Sequence, residues 1–330
     1  MTQTGRYRRQ EKGTRQSLPR HDAVFRDAPA TISVRGLTKS YGELRAVDEV
    51  TFEVGRGEFF GILGPNGAGK TTTLEIIEGL RRPDAGRVSI LGLEPWPRNP
   101  ALLPRMGVQL QASSFFEHLT AREQLGTFAA LYGVPAARAD ELLELVGLAD
   151  KAATRTEKLS GGQAQRLSIA CALVHGPEVL FLDEPTGALD PQARRNMWDL
   201  LREISAAGRT VVLTTQHMDE AEALCERVAI MDHGRILRTG APAALIRELD
   251  EPVRISIESG QLSLGEARFL AQRASAATVD DDGSSLTIVT SEPAAVLAAL
   301  ASRQALTGLR AQGGTLEDVF LHLTGREYRE

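Results

Sequence analysis

The chain has 330 residues, 42% hydrophobic and 25% charged, with a net charge of −5. That balance suits a soluble globular protein of one or two domains and argues against nucleic acid as its main partner. No apolar run approaches the roughly 18 residues of a membrane span, and two cysteines, Cys171 and Cys225, are too few for a disulfide framework and lack metal-ligand spacing.

Residues 1–30 carry Arg6, Arg8, Arg9, Lys12, Arg15, Arg20 and Arg26 around no apolar core, so they are expected to form a disordered basic tail, not a secretory signal. Contact of this tail with anionic lipid is the alternative. An apolar rhythm starts at Ile32, Val34 and Leu37. Near-continuous apolar runs at 58–63 and 179–182 predict strands buried on both faces, and 211–215 predicts a third that ends at Gln216 and His217. Helical patterns follow them from Gly69, from Pro191 and over 219–227, which makes the class α/β with a largely parallel sheet. Between 112 and 173 strand signals stop. Helices are expected over 121–132 and 137–146, the first opened by a Thr120/Glu123 capping box, so this stretch reads as a helical insertion. After Pro252 strands are expected at 253–257 and 286–289, with helices at 265–276, 293–301 and 315–323. The division is therefore a nucleotide-binding unit over 31–249 and a small α/β domain over 250–330.

The sharpest pattern is Gly64-Pro65-Asn66-Gly67-Ala68-Gly69-Lys70-Thr71, an ungapped phosphate-binding loop between a buried strand and a helix that continues through Thr72. Its glycines let successive N–H groups turn inward as an anion nest. The helix start adds partial positive charge, Lys70 neutralises the β- and γ-phosphates, and the Thr71 hydroxyl ligates Mg²⁺. A second pattern, Val179-Leu180-Phe181-Leu182-Asp183-Glu184, places two acids at a strand's C-terminal end, where open α/β sheets bind ligands. Asp183 suits Mg²⁺ and Glu184 suits an attacking water. Third, Leu159-Ser160-Gly161-Gly162-Gln163 puts a serine and two glycines at a helix start, a second anion-binding terminus in a chain that already has one.

In this order the motifs over about residues 31–245 resemble the ATP-binding cassette superfamily. The resemblance implies a P-loop fold with a RecA-like core, an antiparallel β subdomain and the helical insertion. It implies ATP and Mg²⁺ as ligands and a head-to-tail dimer in which one subunit's signature closes the other's ATP site. Carried over residue by residue, Tyr41 resembles the aromatic that stacks on adenine. Gln111 resembles the loop glutamine that reaches Mg²⁺ and the water, with Gln109 as the alternative. Asp190 resembles the loop aspartate that crosses the dimer, although Ala188 stands where the family has serine or glycine. His217 resembles the switch histidine at the γ-phosphate.

Three kinds of cassette ATPase compete. Translation-type proteins usually carry two cassettes, and DNA-repair types insert a long coiled coil between phosphate loop and signature. Here there is one cassette, and Pro83, Pro95, Pro97, Pro100, Pro104 and Pro135 interrupt that interval. The tail from Thr315 to Gly325 resembles drug-exporting cassettes of the daunorubicin-resistance type. That implies an ATPase motor for a separately encoded polytopic permease, at the cytoplasmic face of the membrane. Phe115, Phe116, Leu119 and Leu125 are the candidate apolar docking contacts, or alternatively the insertion's own core.

Overall fold

The computed structural model describes residues 30–110, 115–273 and 276–325. The basic tail expected over 1–30 lies almost wholly outside them, as does Gln111.

Two long strands, β1 (Ile32–Tyr41) and β2 (Leu44–Val54), pair antiparallel and lead into β3 (Phe59–Leu63). The phosphate loop connects β3 to α1 (Lys70–Ile77), after which β4 (Ala85–Ile90) returns to the free edge of β1. The order β2-β1-β4 is the antiparallel subdomain. Then β5 (Met106–Gln109) opens the helical insertion α2 (Ala121–Leu131), α3 (Arg138–Leu145) and α4 (Gly161–Leu173). The Thr120/Glu123 capping box forms as expected. The chain rejoins the sheet through β6 (Val179–Asp183), α5 (Pro191–Ala206), β7 (Thr210–Thr215), α6 (Met218–Leu224), β8 (Arg227–Asp232), β9 (Arg235–Gly240) and α7 (Pro242–Glu248).

The large sheet runs β5-β6-β7-β3-β8-β9, parallel except for β9. Side chains alternate faces along a strand, and here both faces are covered. Phe59, Leu63, Leu180, Leu182, Val211 and Leu213 point into a core shared with the helical layer. Phe60, Ile62, Val179, Phe181 and Val212 point into a second core, with α1 and the antiparallel sheet. This is why these strands read as unbroken apolar runs.

The remaining chain forms β10 (Val253–Glu258), α8 (Leu264–Arg273), β11 (Ala276–Asp281), β12 (Ser285–Thr290), α9 (Pro293–Ser302) and β13 (Arg310–Gln312), with strand order β11-β12-β10-β13 and its own core of Ile255, Ile257, Leu286, Ile288, Val296 and Leu300. The helix expected over 265–276 ends at Arg273, because pairing with β12 draws Ala276 into β11 against the helical preference of its composition. The last helix, α10 (Leu316–Thr324), does not join that core. Its Leu316, Val319 and Phe320 are buried with α6, α7 and the helical layer of the large sheet. No helix among the described residues is long and apolar enough to cross a membrane.

Candidate nucleotide site

Strands β6, β7 and β3 are neighbours, so their C-terminal ends bring the phosphate loop, the two acids and Thr214-Thr215 together at one edge. The loop leaves β3 with Gly64 N–H donating to the Thr215 carbonyl at 3.2 Å. Two of its glycines are required by close backbone approach. A Cβ at Gly64 would stand 2.2 Å from the Met231 carbonyl oxygen, and one at Gly69, where φ is +100°, would stand 2.2 Å from that of Ala46. Gly67 also has positive φ but opens onto free space, the side on which a ligand can approach the backbone.

Lys70 is buried, 4% exposed. Its ammonium donates to the Gly64 carbonyl at 2.8 Å and the Pro65 carbonyl at 3.1 Å, and pairs with Glu184 Oε1 at 3.1 Å. Three partners satisfy its three donors and curl the loop around the cation. Thr71 and Thr72 lie in the first turn of α1, and Thr71 Oγ1 donates to Asp183 Oδ1 at 3.2 Å. Thr214, which the motifs did not single out, donates its hydroxyl to the same oxygen. Burial holds the Asp183 carboxyl above its ordinary range, with these two hydroxyls opposing it. Glu184 has φ +45°, a conformation that costs a non-glycine residue roughly 1–3 kcal/mol and must be imposed by its surroundings. Its N–H is held by the Thr214 carbonyl and Thr214 Oγ1, and its carbonyl accepts from Gly187. That bend turns its carboxylate off the strand direction and onto Lys70.

Beside these groups, Glu78 at the C-cap of α1 is buried, and neither carboxylate oxygen finds a hydrogen-bond partner among the described residues. Burial, with the charges of Asp183 and Glu75, pushes it up to about 9. Sequence reading missed it, since a glutamate in a helical pattern is ordinarily solvated.

The other expected site residues sit around this centre. Tyr41 ends β1, 41% exposed, with the Arg81 guanidinium 5.4 Å and the Lys39 ammonium 5.8 Å from its ring centre. His217 is the N-cap residue of α6, its N–H donating to Thr215 Oγ1 at 2.9 Å. Asp190 caps α5 through the N–H groups of Gln192 and Ala193. Ser160, Gly161, Gly162 and Gln163 begin α4, where Ser160 and Gln163 form a reciprocal capping box. The Ser160 hydroxyl is thus engaged within its own helix end, not with the phosphate loop. Gln109, the alternative to Gln111, is buried with its amide turned to the Leu110 carbonyl. Leu125 is fully buried in the insertion's core and cannot dock a partner, whereas Phe116 is 51% exposed. Cys171 and Cys225 are buried free thiols, the first pushed up to about 12 by burial, and so inert.

A glycine-rich loop at a helix start, a buried lysine, a hydroxyl on a carboxylate at one strand edge and a second carboxylate paired with the lysine make this edge the candidate nucleotide site. The description "ABC transporter" fits the family model that matches residues 47–187. The chain is 40% identical over 308 residues to the Nod factor export ATP-binding protein I of Sinorhizobium fredii, covering 91% of this chain and 87% of that one. It is 38% identical over 314 residues to a daunorubicin resistance ATP-binding protein of Streptomyces coeruleorubidus, covering 92% and 98%. Among solved structures, a dimeric bacterial ABC transporter cassette superposes with a TM-score of 0.59 at 30% identity, over 64% of this chain and 98% of that one. The same coverage and identity, with a TM-score of 0.58, hold for a dimeric cassette in a post-hydrolysis state bound to ADP and Pi. The chain belongs to the ABC transporter ATP-binding family and is an ATPase.

Proposed function

We propose that this chain is the ATP-hydrolysing motor subunit of an ABC-2 type exporter, working as a homodimer beneath a separate polytopic permease at the cytoplasmic face of the membrane. The observation that carries the reading is the convergence of Lys70, Thr71, Asp183 and Glu184 on one strand edge. The two relatives are named for export and drug resistance, which favours this reading over an ATPase of translation or DNA repair.

Within the site, the loop from Gly64 to Thr72 cradles the phosphates, and Lys70 exchanges its carbonyl partners for phosphate oxygens. The oxygen donors Thr71 and Asp183 fit a hard divalent cation, because Mg²⁺ needs only one or two protein carboxylates beside substrate phosphates. When bound, Mg²⁺ neutralises charge developing on the phosphate oxygens; Gln111 is assigned to the same ion and to the water. Glu184 orients and polarises the attacking water, released from Lys70 as phosphate takes the lysine. His217 contacts the γ-phosphate, Tyr41 stacks on adenine, and Ser160, Gly161, Gly162, Gln163 and Asp190 act across the dimer on the partner's ATP. Two half-sites joined through ATP make the nucleotide favour the closed dimer, and loss of the γ-phosphate reopens it. Of the 250–330 stretch expected as an accessory domain, residues 253–312 are assigned that role, while α10 packs on the nucleotide-binding unit. Phe115 and Phe116 are assigned to permease contact.

The test uses tagged Glu184→Gln protein in its native host, with membranes solubilised gently in the presence of ATP. Co-purification of a stoichiometric polytopic membrane protein with dimeric variant is the expected result. Ribosomal or DNA-bound partners, with no membrane protein, would overturn the exporter reading and leave the ATPase standing.

A further inference from the structure

The helix that carries His217 is short and held from two sides. At seven residues, α6 is too short to fix itself by its own hydrogen bonds, and its position is set by what it packs against. From within the nucleotide-binding unit, fully buried Glu220 accepts from Thr186 Oγ1 at 2.7 Å and from Trp198 Nε1 at 3.2 Å. Thr186 follows Glu184 by two residues, so this contact ties α6 to the acidic motif.

The second hold comes from the end of the chain. Leu316, Val319 and Phe320 of α10 are buried in the core that contains Ala221 and Leu224 of α6. Glu222, on the exposed side of α6, accepts the Leu316 N–H at 2.8 Å. Leu316 is the first residue of α10, and the Thr315/Asp318 capping box already occupies neighbouring N–H groups. The carboxylate therefore meets a helix N-terminus, where negative charge is favoured. Because α6 begins at His217, whose carbonyl accepts from Ala221 N–H at 3.2 Å, displacement of α6 displaces His217.

We propose that α10, through Glu222, is a positioning element for His217, so that the C-terminal segment sets how the cassette discriminates ATP from ADP. The proposal rests on the reading of His217 as the γ-phosphate contact. Glu222 touches no nucleotide; it acts through α6. A helix braced only from the Glu220 side would keep the fold and the phosphate cradle, which Lys70 and the loop supply to both nucleotides, while loosening the contact that His217 adds at the third phosphate.

The experiment measures affinities of the full chain for ADP and for a non-hydrolysable ATP analogue, by displacement of a fluorescent nucleotide. Glu222→Ala is expected to lower the ATP-over-ADP preference about fivefold, the size of one net hydrogen bond, with ADP affinity unchanged. Glu222→Gln keeps an oxygen that accepts the Leu316 N–H and should restore the preference. Asp318→Ala, which uncaps α10 without touching α6, should shift the ratio in the same direction and serves if Glu222→Ala fails to fold. His217→Ala is the control. If it loses the preference while Glu222→Ala and Asp318→Ala keep it, or if those two weaken ADP and the analogue equally, the positioning role is overturned. An unchanged preference in His217→Ala refutes the γ-phosphate contact itself, and the proposal with it.

Discussion

Replacing Glu78 by glutamine should flatten the pH dependence of stability. In the folded chain this carboxyl is pushed from an ordinary 4.5 to about 9 by burial and by the charges of Asp183 and Glu75. Between those values the folded state holds a proton that the unfolded state has released. Stability from this group is therefore fully present below about 4.5 and falls as pH rises towards 9. Each pH unit in that window costs about 1.4 kcal/mol, so from pH 5.5 to 7.5 the loss is about 2.7 kcal/mol. Glutamine has nearly the same volume and no proton to lose. Urea unfolding of both proteins at pH 5.5, 6.5 and 7.5, without nucleotide, should show Glu78→Gln gaining on the parent by about that amount. Glu220 is also raised by burial, but it is common to both chains and cancels in the difference; the coupling of Asp183 to Glu78 is part of the Glu78 shift itself. Parallel pH profiles for the two proteins would mean that Glu78 is ionised in the fold, and would refute the reasoning.

Lys70→Ala removes the buried cation at the centre of the loop and should weaken ATP binding about 100-fold or more, read by calorimetry; wild-type affinity would disprove its phosphate role. Gly69→Ala and Gly67→Ala separate packing from conformation. The first drives a methyl into the Ala46 carbonyl and should abolish nucleotide binding with a clear drop in Tm, whereas the second meets no atom within 4 Å and should cost only about 1 kcal/mol. Phe116→Ala, at an exposed position, should change stability by less than about 0.5 kcal/mol and spare basal turnover while uncoupling transport in vesicles. Leu125→Ala, fully buried, should cost about 2–5 kcal/mol in the melt.

The phosphate loop and the acids were legible because their chemistry is local. A nest of N–H groups needs glycines in a fixed short spacing, and the apolar run before Asp183 shows that the acid ends a buried strand. Thr120 with Glu123 was readable for the same reason, since a capping box spans one helical turn. What the sequence did not reveal are partnerships across the fold. Thr214 is one more polar residue at a strand end until β7 is placed beside β6 and its hydroxyl meets Asp183. Glu78 is an ordinary helical glutamate until the fold buries it within reach of the Asp183 charge. The apolar spacing of Leu316, Val319 and Phe320 announces a buried face, but periodicity names a face and never its partner. Leu125 fails as a docking contact on the same ground: its spacing suited either an interface or a core, and burial decides for the core.

The two cores on opposite faces of the large sheet have a consequence for how this molecule can change. Phe60, Ile62 and Phe181 lock α1 and its loop to the antiparallel sheet, while Phe59, Leu180 and Val211 face the helices. Substitutions in the helical layer, where α2, α3, α4 and α10 reside, reach the phosphate loop of the same chain only across the strands between, apart from the proposed route through α6 to His217. One side can be rewritten for a new membrane partner, residue by residue, while the other conserves the cradle and its lysine. Divided this way, the helical layer is free to vary while the loop and its lysine keep their setting.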